Sequence, residues 1–160
     1  MTTDIKTEEN NNQNGETFAV EVEAEDLYDF FKNAPREEPS AEWTQNVAET
    51  IRSQISTELF WASGARDYQA IINDDNDPGL MFGIKGTSAF PHRVADVSIT
   101  LNGLDYYNIK IVMRASQKEV YTTTDIDCFM LEEVLYRAFE TEEYIKTVEE
   151  IQARRAEETQ

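Results

Sequence analysis

Cysteine is nearly absent from this chain: Cys128 stands alone, so no internal disulfide can form. A lone thiol fits a reducing compartment, and a cytoplasmic protein is expected, in the host cytoplasm if the source is a virus. Histidine is equally scarce. His92 follows Pro91, and no serine or cysteine arrangement beside it suggests a triad. Glycine numbers six, with no Gly-rich phosphate loop, and no zinc-ligand spacing occurs. Long apolar runs are missing too, so no membrane span is expected. The opening MTTDIKTEENNNQNGE has no basic stretch leading into an apolar one, so no signal peptide is expected. No cofactor and no metal follow from these motifs.

Basic residues are the most telling shortage. Lys and Arg total 14 against 32 Asp and Glu, a net charge of −18. Such a field repels nucleic acid and anionic lipid, so neither direct nucleic-acid binding nor membrane association is expected. The imbalance is uneven. Residues 1–40 carry 11 acids and 3 bases, residues 41–124 carry 10 and 7, and residues 125–160 carry 11 and 4. The middle is near balance and the ends hold the charge.

What the chain does contain is one domain's worth of core. Its 160 residues include 36 Leu, Ile, Val and Phe, of which only Ile5 lies in the first 16. That places a disordered acidic tail at 1–16, an acidic-aromatic extension at 17–40 and a single α+β domain at 41–160. Phe18, Val20 and Val22 alternate as in a short strand, and AEDLYDFFKNAP (24–35) suits one or two helical turns ended by Pro35. Ser40 is an N-cap for a helix over 41–62, in which Trp43, Val47, Ile51, Ile55 and Leu59 recur every four residues. Gly64 suits the left-handed position beyond its end. Trp43 and Trp61 read as core or core-rim residues.

Strands follow. Tyr68, Ala70 and Ile72 alternate, NDDNDPG (73–79) is turn chemistry, and Leu80, Phe82 and Ile84 alternate again. A second hairpin joins Val97, Ile99 and Leu101 to Tyr107, Ile109, Ile111 and Met113. A two-residue Asn102-Gly103 turn would put the two apolar sets on opposite faces. A three-residue loop pairs Val97 with Ile109 and Ile99 with Tyr107, and keeps them on one face. A further strand is expected near 119–122. Thr123, Thr124 or Asp125 then caps a long helix with Ile126, Met130, Val134 and Ala138 on one face, and TEE (141–143) kinks or interrupts it. The class is α+β: an antiparallel sheet of four or five strands packed on an N-terminal amphipathic helix and a long C-terminal helix.

Several motifs invite chemistry. Asn73–Asp77 resembles a hard-cation loop, but the sixth position is Pro78 and the twelfth Ile84, where a calcium loop needs Gly and Glu. A polar hairpin tip accounts for it. Cys128, between Asp127 and Phe129, reads as a buried, inert thiol. Carboxylate catalysis by Asp74, Asp75 or Asp77 lacks a general acid set against a base, so no enzyme is expected.

Two surfaces remain as candidate partner-binding sites. Glu23, Glu25 and Asp26 interleave with Leu27, Tyr28, Phe30 and Phe31, as in a docking peptide or a turn packed on its own sheet. In the C-terminal helix, Glu142, Glu143, Glu149 and Glu150 form acidic pairs seven apart. Glu133–Arg137, Glu142–Lys146 and Glu150–Arg154 are also oriented as helix-supporting ion pairs. Thirty-six helical residues would span roughly 54 Å, one net charge per ~8 Å, against one per ~1.7 Å in duplex DNA. The helix alone is a poor imitation of a duplex. The expectation is a non-catalytic acidic protein whose partner is a protein with a basic surface. It would be a phage-type antagonist blocking the basic groove of a nucleic-acid-binding enzyme or defence complex by charge mimicry. The alternative is a structural adaptor or assembly chaperone using segment 24–35 or the C-terminal helix, and a homodimer is a further partner state.

Overall fold

The computed structural model describes residues 3–8, 18–33 and 36–159, the side chains of 3–8, 18–22 and 31–33 excepted. The chain divides into two compact units, 1–35 and 36–160. In the first, β1 (Thr3–Glu8) pairs antiparallel with β2 (Phe18–Val22), and α1 (Ala24–Asn33) follows. Of the tail expected to be disordered, residues 3–8 form β1 and residues 9–16 lie outside the described residues.

The second unit is an α+β domain. It runs α2 (Ala41–Ser53), α3 (Thr57–Ala62), β3 (Arg66–Ile72), β4 (Pro78–Ile84), β5 (Ala95–Leu101), β6 (Tyr107–Met113), β7 (Glu119–Ile126), α4 (Leu131–Phe139) and α5 (Glu142–Glu158). The five strands form one antiparallel meander in chain order. Period-two alternation explains why it has an apolar face. Leu80, Ile99 and Ile109 stand in one cross-strand row, and Phe82, Val97 and Ile111 in the next. Val47, Ala48, Ile51 and Ile55 join that face from the N-terminal side, and Leu131, Leu135 and Phe139 from α4. Phe82 meets Phe60 and Phe139 edge to face, with ring centroids 5.3 and 6.5 Å apart. Each such buried side chain contributes about 1.5–3 kcal/mol. The other sheet face carries Asp96, Ser98, Asn108 and Lys110, half-buried or exposed.

The β5–β6 hairpin keeps its apolar residues on one face, as expected, but in a different register. Val97 pairs with Ile111, Ile99 with Ile109 and Leu101 with Tyr107, so the loop has five residues, Asn102–Tyr106. The two-residue slip preserves the face. Asn102 causes it: its Oδ1 accepts the backbone N–H of Leu104 (2.9 Å) and Tyr106 (3.2 Å), and Asp105 adopts φ 62°. The β3–β4 loop repeats this design. Asn73 Oδ1 accepts from Asp75 and Asp77, and Asn76 takes φ 61°.

Ser40 caps α2 as expected, its hydroxyl accepting from Trp43 N–H at 3.1 Å. The single helix expected over 41–62 is instead two. Ser56 starts a new one, its hydroxyl accepting from Leu59 N–H, while Ile55 stays buried at the bend. Gly64 (φ 64°) closes α3 with Gly64 N–H donating to Trp61 O and Ala65 N–H to Phe60 O, a Schellman arrangement. The last strand is longer than expected. Thr122–Thr124 belong to β7, where β-branched residues fit the pleat, and Ile126 pairs with Tyr107. The helix therefore starts at Leu131, after a turn in which Asp127 Oδ1 accepts from Phe129 N–H, and neither Thr123, Thr124 nor Asp125 caps it. Among the described residues no helix is long and apolar enough to cross a membrane.

Candidate interaction surface

The break expected near 141–143 falls at Glu140–Thr141, and it shapes the C-terminal surface. Leu131, Leu135 and Phe139 lie four apart, so α4 buries one stripe, and the helix ends at Phe139. Glu140 leaves the helix with extended backbone. Its carboxylate accepts the Ser88 N–H (2.9 Å) and the Ser88 hydroxyl. Ser88 Oγ in turn accepts the Thr141 N–H at 2.7 Å, and Ala89 N–H donates to Phe139 O. The β4–β5 loop thus clamps the joint. Thr141 then caps α5 by accepting from Tyr144 N–H.

The helix α5 has 17 residues, of which Ile145 alone is buried, with Val148 half-buried. Every described residue from Glu149 onward is exposed. At about 100° per residue, Glu143 and Glu150 share the side opposite Ile145 and Val148. Glu142 and Glu149 share a line beside that apolar strip.

Beside this strip lies a groove of about 550 Å³ between α3, α4 and α5. Leu59, Ala62, Tyr136, Ile145 and Val148 supply its apolar lining, and Glu58, Glu132, Glu133 and Glu149 supply carboxylates, with Arg137 the one base among the described lining residues. Glu132 also fixes the groove's geometry: its carboxylate accepts the Ser56 N–H at 2.7 Å, tying the start of α3 to α4. Arg137 reaches Glu133 at 3.3 Å. The Tyr136 hydroxyl pKa is pushed above its ordinary value, first by burial and then by negative charge on Tyr144, Glu140 and Glu149, with Arg137 opposing.

The expected partner-binding residues fall in both units. On α1 or immediately before it, Glu23, Glu25, Asp26, Tyr28 and Phe30 are exposed and Leu27 is half-buried; the Phe31 side chain lies outside the described residues. On α5, Glu142, Glu143, Glu149 and Glu150 are all exposed, and Glu149 lines the groove.

Three residues read as buried, or as core or core-rim, are exposed. Cys128 is exposed. Trp61 is 87% exposed and Trp43 52%. Phe129, which sequence reasoning did not single out, is 91% exposed. On an unbroken helix Trp61, ten residues beyond Ile51, and Trp43, eight before it, both fall about 80° to the same side of Ile51, so helical spacing alone does not tell them apart. Trp43 reads as part of that stripe but lies in the first turn of α2, before the core begins at Thr44 and Val47.

The Asn73–Asp77 loop is organised from within. Asp77 is buried against the Arg36 guanidinium, and Asp74 and Asp75 are exposed. Among the described residues no group of three His, Cys, Asp or Glu is placed to hold a metal ion. Comparison with known protein families, with curated proteins and with solved structures finds no match for this chain.

Proposed function

We propose that this is a non-catalytic, cytoplasmic acidic protein that acts by occupying the basic groove of a nucleic-acid-binding enzyme or defence complex, in the manner of a phage-type antagonist using charge mimicry. One observation carries the reading: α5 extends about 25 Å while burying a single residue, and it displays Glu142, Glu143, Glu149 and Glu150 to solvent. A helix that adds so little to its own core is explained by what it presents. The acidic-aromatic α1 supplies a second surface of the same sign.

A second reading, a structural adaptor or assembly chaperone, draws on the exposed Trp61 and Phe129. Large apolar anchors of this kind concentrate binding energy at interfaces. Capture from host lysate at low and high salt separates the two. Charge-led binding is screened beyond about a Debye length, ~30 Å at 0.01 M but ~8 Å at 0.15 M. The antagonist reading expects capture to collapse at high salt and to be lost on reversing Glu142, Glu143, Glu149 and Glu150 to Lys. Capture that survives both but fails with Trp61→Ser and Phe129→Ser would replace it with the adaptor.

A further inference from the structure

We propose that the groove between α3, α4 and α5 is a docking site for a cationic amphipathic helix of a partner protein. This rests on the acidic-binder reading above and assigns it a place and a ligand shape. Charge alone would be met by any polycation, but the groove asks for more. Part of its lining is apolar, from Leu59, Tyr136, Ile145 and Val148, and its volume is about 550 Å³. Three helices leave a trough of the kind that accepts the apolar stripe of a fourth. Glu58, Glu133 and Glu149 stand around that lining, with Arg137 the single opposing charge among the described residues. A helix bearing Leu or Phe at i, i+3, i+4 and i+7, flanked by Lys or Arg, complements both features. An acidic or neutral helix would bury its stripe among unmatched carboxylates.

The site is also held ready. The Ser56 N–H to Glu132 bond fixes α3 on α4, and the Ser88–Glu140–Thr141 bonds fix α4 to α5. Neither clamp depends on an occupant, so the trough does not have to be assembled on binding.

The test uses the full chain and two fluorescein-labelled peptides of about 14 residues, both made of Leu and Lys in equal number. One has the leucines in helical spacing and the other has them scrambled. Anisotropy titration should show the amphipathic peptide binding at least tenfold more tightly than the scrambled one. Ala62→Arg and Gln152→Lys, both at exposed groove positions, should each cut that affinity at least tenfold. Glu157→Lys, outside the groove, should leave it within twofold. Equal affinity for the two peptides would overturn the groove assignment while leaving the electrostatic reading standing. Failure to bind either peptide would overturn both. A concentration-dependent dimer dissolved by Ala62→Arg would assign the groove to a second copy of the chain and overturn the proposal.

Discussion

Asn102 shows how much one buried amide can hold. It is 7% exposed. Its Oδ1 shapes the β5–β6 loop, and its Nδ2 donates to Asn108 Oδ1 at 3.0 Å and to Asp125 Oδ1 at 2.8 Å. Asn102→Ala would strip partners from two backbone N–H groups and two acceptors. At about 1 kcal/mol per bond, and more where a group is left buried, the loss should reach about 2–4 kcal/mol in urea unfolding. The equivalent Asn73→Ala should cost less, because that tip is more exposed. Tyr107 gives a pH signature at the same scale. Its phenol pKa is raised above 10.0, first by burial and then by the Cys128 charge. Tyr68 and Tyr136 shift the same way. A raised folded pKa means that the unfolded chain loses its proton first. The stability these three phenols contribute is therefore complete below pH 10 and declines as pH climbs from there through the folded values. Tyr107→Phe should flatten part of that alkaline decline. It should also lose about 1 kcal/mol at neutral pH, because the 2.6 Å bond to Gln54 goes with it.

At the scale of elements, period and parity were legible in the sequence while breaks were not. Alternation fixed which side of β5 and β6 faces inward, because a face survives any even slip. It did not fix the loop length, which depended on Asn102 hydrogen-bonding its own loop. The Ser56 cap was masked by Ile55 and Leu59, which continue the four-residue stripe across the bend. Thr123 and Thr124 suited a strand and a helix cap alike, and pairing across the sheet decided between them. The acidic face of α5 could be read directly from the Glu spacing. The groove could not, since it is held by bonds between residues far apart in the chain, such as Ser88 N–H to Glu140, 52 residues away. The same anatomy makes α5 two-part in its energetics. Ile145, 9% exposed, is the anchor, and Ile145→Ala should cost about 2 kcal/mol or more. Removing residues 152–160, all exposed where described, should change unfolding free energy by no more than about 0.5 kcal/mol, although helical signal in circular dichroism falls. A large loss on truncation would mean that the distal helix packs on something, and the view of it as a displayed surface would fail.

At the scale of the whole molecule, salt should act on folding and on binding with opposite signs. The folded chain gathers a net −18, and like charges brought together oppose compaction. Attractive pairs exist, including Arg114 with Asp96 at 2.7 Å and Arg137 with Glu133 at 3.3 Å. They are at least partly exposed, and such pairs contribute about 0–1 kcal/mol each. With 32 acids facing 14 bases, most carboxylates have no cation to pair with, so screening removes more repulsion than attraction. Raising sodium chloride from 0.01 to 0.3 M should therefore raise the thermal midpoint, by several degrees for each kcal/mol of repulsion removed. The same change should weaken capture of a basic partner, because there the screened interaction is attractive. Midpoints that stay flat or fall with salt would show the acids to be locally compensated. The flanking charge would then be matched within the chain rather than held available for a partner, and the electrostatic reading of α1 and α5 would lose its basis.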